Sequence, residues 1–173
     1  RNQPNLFIHA KNEDSQYDAI AERIKAIHSK EDGSDSQIVI THTHQDSLKN
    51  IMEELKKRGI KGKLAVKKYG HSMEDTFDFK DRNLVLFSKI HSLKGLQFDY
   101  LIFPDTEEEK LDFETMFVES LEGDIFRTGF KLSSTEKESI IKNSLFMVFT
   151  RAKKRVICSY VNKNDSAVYK RLP

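Results

Sequence analysis

Short apolar runs that alternate with stretches of helical periodicity constrain this chain most, because a strand followed by an amphipathic helix is the repeating unit of a helix-covered parallel sheet. Asn5 to Ala10, Gln37 to Thr41, Lys63 to Val66, Asn83 to Ser88, Tyr100 to Phe103 and Arg155 to Tyr160 read as strands. Between them, Ser15 to Ile27 carries Tyr17, Ile20, Ile24 and Ile27 at helical spacing, and the polar stretch Ser29 to Ser36 ends that helix. Thr43, with Asp46 three residues on, can cap a second helix, whose core face is Leu48, Ile51, Met52 and Leu55 and which Gly59 stops. Ser134 to Phe149 reads as a further helix with a Ser/Thr and Glu start, although Val148-Phe149 could also form a bend. Tyr69 to Asp81 reads as a polar loop, and Thr106 to about Lys131 as an acidic, poorly patterned insertion. The tail after Val161 is short and open to a helical reading. With no internal repeat and no second domain boundary, residues 1–173 are expected to form one α/β domain with a mostly parallel sheet.

A length of 173 residues with 38% hydrophobic and 32% charged suits one globular core rather than a disordered chain. Lys and Arg total 29 against 27 Asp and Glu, so a net charge of +2 gives no strong overall field and anion binding must come from local clusters. The lone cysteine, Cys158, excludes an internal disulfide and thiolate-cluster metal chemistry, and it fits a reducing compartment or a buried strand position. No apolar run reaches the length of a membrane span. The chain opens on Arg-Asn-Gln-Pro, with neither a leader pattern nor an initiator Met, and is expected to be a fragment or a processed chain.

Two segments place cations where an apolar run ends, as phosphate handling requires. The first follows the strand Asn83 to Ser88 and contains His91, Ser92, Lys94, Gly95 and Gln97. Taken alone, Lys94-Gly95 reads equally as a solvated turn with a glycine at positive φ. Its position between two strands of an α/β sheet changes the weight, because backbone N–H groups and a lysine in such a loop can meet phosphate. The second segment is Thr150-Arg151, directly after the apolar Leu145 to Phe149. Core packing can hold its backbone while the guanidinium projects, and a positioned arginine of this kind accelerates phosphoryl transfer by roughly 10³–10⁵-fold. The bland alternative is that Arg151-Ala-Lys-Lys-Arg155 is a solvated charge run.

In order and separation, His91-Ser-Leu-Lys-Gly-Leu-Gln-Phe98 and Leu145-Phe-Met-Val-Phe-Thr-Arg-Ala152 resemble motifs V and VI of superfamily 1 helicases of the UvrD, Rep and PcrA type. With Gln37 to Gly59 taken as the motif IV strand and helix, the resemblance spans most of the chain. It implies a three-layer RecA-like domain, the second motor domain of an ATP-dependent DNA helicase. In that family the arginine matching Arg151 reaches the γ-phosphate as the catalytic finger. Gln97 matches the position that contacts the ribose, and Gly95 lies close to the nucleotide. His91, Ser92 and Lys94 match the segment that links the ATP cleft to single-stranded DNA.

ATP and Mg²⁺ are then expected to be bound mainly by an N-terminal motor domain of the same parent protein. This sequence contains no Gly-x-x-x-x-Gly-Lys-Ser/Thr cradle and no apolar strand ending in an Asp-Glu pair. Alone, these residues are expected not to hydrolyse ATP. Asp105, between the two motifs, reads as a structural strand end.

The sequence departs from the family pattern at Lys89, where a Thr is usual, at Gln97, where a Glu is usual, and at Thr41-His42-Thr43-His44, where an arginine is usual. These departures and the acidic stretch also resemble the divergent HelD-like branch, whose members act on RNA polymerase. A polymerase-remodelling ATPase therefore stands as the rival reading, with a recombination helicase-nuclease as a third. Either motor reading implies a cytoplasmic, nucleoid-associated protein with no membrane partner.

His42 and His44 lie on one side of an extended segment, but no third metal ligand is near, so they read as a strand end and helix cap and no metal site is expected. Lys56-Lys57-Arg58 and Lys67-Lys68 read as solvated charges, with Lys67, Lys68 and Tyr69 a lesser candidate contact to a nucleic-acid backbone and base. Phe77, Phe79, Phe113 and Phe117 are expected to pack under loops rather than stack on bases.

Overall fold

The computed structural model describes residues 3–30, 36–65, 83–120 and 131–172. Its elements follow the alternation in the sequence: β1 (Leu6–His9), α1 (Glu13–Ser29), β2 (Ile38–His42), α2 (Gln45–Lys57), β3 (Gly62–Leu64), β4 (Val85–Lys89), β5 (Phe98–Phe103), α3 (Phe113–Ser120), α4 (Ser134–Thr150) and β6 (Ala152–Tyr160). The strands form one sheet in the order β1-β6-β5-β2-β4-β3, and every pairing in it is parallel.

Side chains alternate across the central strands and feed a core on each face, which makes the domain three layers deep. Ile38 and Ile40 of β2, Val85 and Phe87 of β4, and Tyr100 and Ile102 of β5 meet Ile20 and Ile24 of α1 and Leu48, Ile51 and Leu55 of α2. On the other face Val39, Leu86, Leu101, Phe103, Val156 and Cys158 pack with Phe113 and Met116 of α3 and Leu145 and Val148 of α4. Phe98 shares that second face with Leu101 and Phe103 despite the odd spacing. A register shift between Phe98 and Tyr100, where β5 pairs with β6, resets the alternation.

Caps fix two of the helix starts. Asn12 and Ser15 form a reciprocal capping box that starts α1 two residues before the sequence pattern does. Ser133 and Glu136 do the same for α4, which continues through Val148 and Phe149 to Thr150 without a bend. The expected Thr43 cap on α2 is not formed: His44 occupies the N-cap position without a side-chain cap bond. Thr43 Oγ1 instead accepts from the Asp112 amide at 3.1 Å, because that buried hydroxyl faces the chain leading into α3.

Other boundaries move as well. β3 is shorter than the run Lys63 to Val66, of which Val66 lies outside the described residues, and β5 and β6 begin earlier than their apolar runs. The stretch read as poorly patterned contains a 3-10 turn at Glu108–Lys110 and helix α3. Phe113 is buried there as expected and Phe117 is half-buried, while Tyr69, Phe77 and Phe79 lie outside the described residues. Arg58 is not a solvated charge. Its guanidinium bonds Asp18 at 2.6 Å and Glu54 at 3.0 Å, tying the end of α2 to α1.

Candidate functional site

In a parallel sheet the chain must return from the carboxyl end of one strand to the amino end of the next. Between β4 and β5 that return is made by Ile90 to Gln97, which crosses the face covered by α4. It opens as a 3-10 turn, Ile90–Leu93, and Ile90, Leu93 and Leu96 are buried in the core beneath it. The three apolar anchors leave the intervening residues outward: His91 and Ser92 are half-buried, and Lys94, Gly95 and Gln97 are exposed. Leu96 N–H donates to the Leu93 carbonyl at 3.0 Å, and the chain reverses at Gly95 with φ +82. A Cβ built at Gly95 would meet nothing within 4 Å, so the glycine answers a backbone requirement and not a steric one.

Arg151 closes helix α4 as its C-cap residue, and its own N–H donates to the Val148 carbonyl at 3.4 Å. Its carbonyl accepts from Phe98 N–H at 2.9 Å, and the next residue, Ala152, pairs with Phe98 in the sheet. Gln97 therefore stands one residue from the amide bonded to Arg151. The candidate residues divide along the segment: Gly95 and Gln97 lie toward the amino end of β5, where Arg151 is bonded, and His91 and Ser92 lie toward the carboxyl end of β4.

The arginines differ sharply in what satisfies them. Arg58 is held by three carboxylates, Asp14, Asp18 and Glu54, and Arg171 by two, Glu108 and Glu138. Half-buried Arg151 has no ion pair among the described residues, its Nε is buried without a hydrogen-bond partner there, and Nη2 lies 3.5 Å from Thr150 Oγ1. Arg155 Nε is also buried and unpartnered among them. A buried donor left without an acceptor is costly, which sets these two arginines apart from Arg58 and Arg171. Lys67 and Lys68 lie outside the described residues.

Sequence reasoning missed the polar cluster at the carboxyl ends of β2 and β5. Asp105, at φ +52 and buried, accepts from Gln16 Nε2 at 2.7 Å, from Lys110 Nζ at 3.2 Å and from the Tyr17 hydroxyl. Gln16 returns the contact by accepting from the Asp105 amide at 3.3 Å and from Ser159 Oγ at 2.7 Å. Burial and the Asp105 carboxylate push the Tyr17 hydroxyl above its ordinary range. Burial works against the Lys110 ammonium, but Glu13 at 2.8 Å and Asp105 outweigh it and raise its pKa.

His42, fully buried beside this cluster with Nε2 3.3 Å from the Asp105 carbonyl, is driven down to about 4 by burial. His44 diverges from it toward Asp112, with Nε2 and Oδ2 3.5 Å apart. Among the described residues no group of three or more His, Cys, Asp or Glu could hold a metal ion. The only signals for the cluster in the sequence are Pro104-Asp105 at a strand end and a glutamine on the apolar face of α1, and neither identifies the other as its partner.

No protein-family model matches the sequence, and no curated protein matches it. The fold has solved counterparts. The C-terminal domain of a possible DNA helicase from Lactobacillus plantarum WCFS1 superposes with a TM-score of 0.58 at 15% identity, over 93% of this chain and 76% of that one. The C-terminal domain of the DEAD-box protein Dbp5 gives 0.54 at 13% identity, over 94% and 78%. A variant of the S. cerevisiae Dbp5 C-terminal domain bound to Gle1 and IP6 gives 0.53 at 10%, over 94% and 78%. The chain thus has the α/β fold of RecA-like helicase C-terminal domains.

Proposed function

We propose that residues 1–173 are the second motor domain of an ATP-dependent superfamily 1 DNA helicase. ATP with Mg²⁺ is held mainly by an N-terminal motor domain of the same protein, and Arg151 reaches its γ-phosphate across the cleft between the two. Gln97 meets the ribose and Gly95 lets the backbone approach the nucleotide. His91, Ser92 and Lys94, with Lys67 and Lys68, meet the backbone of single-stranded DNA, where phosphate contacts dominate and carry little sequence preference.

The observation that carries this reading is the bond from Phe98 N–H to the Arg151 carbonyl. Through it a guanidinium with no carboxylate partner among the described residues and the segment bearing His91 to Gln97 share one junction. Closing the cleft on ATP draws Arg151 onto the phosphate and shifts the segment against the DNA. Hydrolysis releases both. The arginine neutralises charge that develops on the transferring phosphoryl group and holds no proton in the reaction.

The test is ATP hydrolysis and strand unwinding by the full-length protein with and without single-stranded DNA, with residues 1–173 alone as control. DNA-stimulated turnover and unwinding by the full-length protein, with none from the control, is the expected result. Turnover without DNA stimulation or unwinding would replace this reading with ATP-driven remodelling of RNA polymerase.

A further inference from the structure

Lysines flank the turn that carries His91 and Ser92, and the structure treats them differently. Lys94 is exposed and has no ion pair among the described residues. Lys89, the last residue of β4, lies with Nζ 3.6 Å from Glu119 Oε2 in the last turn of α3. Both partners keep contact with solvent, at 27% and 46% exposure, so the pair is accessible to a competing anion.

α3 is held in place independently of that pair. Phe113 and Met116 are buried in the same core as Ile90 and Leu93 of the turn, and Glu114 reaches Lys137 of α4 at 3.3 Å. A helix anchored on the turn by its apolar face thus presents a carboxylate to the one lysine that begins the segment.

We propose that Lys89 is a further phosphate-binding residue for single-stranded nucleic acid, and that Glu119 holds it until nucleic acid arrives and so lowers the protein's affinity. The inference rests on the motor reading above, because it takes the Lys89 to Lys94 turn as the nucleic-acid contact. An exposed ion pair is weak, contributing about 0.2–1 kcal/mol, so a backbone phosphate can displace the carboxylate. Once displaced, Glu119 remains close to the phosphate and opposes it. The same weakness sets the size of the effect: releasing Lys89 should tighten binding by at most about 5-fold.

The experiment measures fluorescence anisotropy of a labelled oligothymidine with the full-length protein across a salt series, for Lys89→Gln, Glu119→Gln and the double variant. Thermal melts confirm folding. Lys89→Gln is expected to weaken binding and flatten the dependence of log affinity on log salt by about 0.7, the loss of one single-strand phosphate contact. Glu119→Gln is expected to tighten binding in the parent background and to have less effect once Lys89 is gone. Lys89→Arg keeps the cation and should bind like the parent, which separates charge from packing.

Equal tightening by Glu119→Gln in both backgrounds, or no change in any variant, would overturn the proposal while leaving the motor reading in place. No binding of the oligonucleotide by the full-length protein would remove both.

Discussion

Phe98 N–H donates to the Arg151 carbonyl at 2.9 Å, so the first residue of β5 and the cap of α4 form one junction at the amino ends of β5 and β6. That main-chain bond extends the β5 and β6 pairing and joins two segments that are far apart in the sequence. Because the bond uses backbone groups, Arg151 can lose its side chain without disturbing the junction, and each end of the Ile90 to Gln97 segment can be perturbed separately.

Gly95 tests that segment. Its φ of +82 is costly for any residue with a Cβ, although the surrounding space is open. Gly95→Ala should destabilise the domain by about 1–2 kcal/mol through backbone strain alone. If the turn also sets the approach to nucleotide, ATP turnover in the full-length protein should fall by more than the melt accounts for. A parallel loss of both would make Gly95 structural only.

Asp105 should behave as a fold-stabilising residue. Asp105→Ala leaves Gln16 and the Tyr17 hydroxyl short of an acceptor in a buried setting and removes one of the two carboxylates that hold Lys110, and should cost about 3–5 kcal/mol in urea unfolding. Asp105→Asn keeps an acceptor and a side chain that tolerates positive φ, so it should cost less than the alanine variant. Equal losses would mean that the polar contacts contribute little.

His42 predicts how stability changes in acid. Its folded pKa of about 4 lies below its ordinary 6.5, so between those values the unfolded chain binds the extra proton. The stability held by the neutral ring is complete above pH 6.5 and falls as pH drops toward 4, by about 3 kcal/mol in all. Urea titrations across that window should show the decline, and His42→Gln should flatten it. An unchanged slope in the variant would assign the acid sensitivity to other groups.

Much of the architecture was legible because the apolar periodicity is strong in β2, β4 and β5 and along α1, and these elements make most of the core on the α1 and α2 face. The two candidate segments stood out in the sequence as cations placed after a packed strand or helix, and the bond between Phe98 and Arg151 that joins them was not visible there. What was hidden depended on partners distant in sequence. Thr43 has the right spacing for a cap, and only the arrival of Asp112 shows why its hydroxyl is engaged elsewhere. Asp105 follows a proline and reads as a strand end, whereas its network draws on α1, on Lys110 and, through Gln16, on Ser159. α3 has few periodic positions, and its burial through Phe113 and Met116 becomes visible only with the turn at Ile90–Leu93 beneath it.

The most direct measurement of the central claim is DNA-stimulated ATP turnover by the full-length protein carrying Arg151→Ala, with ATP affinity measured in parallel. Turnover should fall by about 10³-fold or more while the Kd for ATP changes only several-fold, since the side chain acts on the transition state. Turnover within a few-fold of the parent protein, with the melt unchanged, would contradict it.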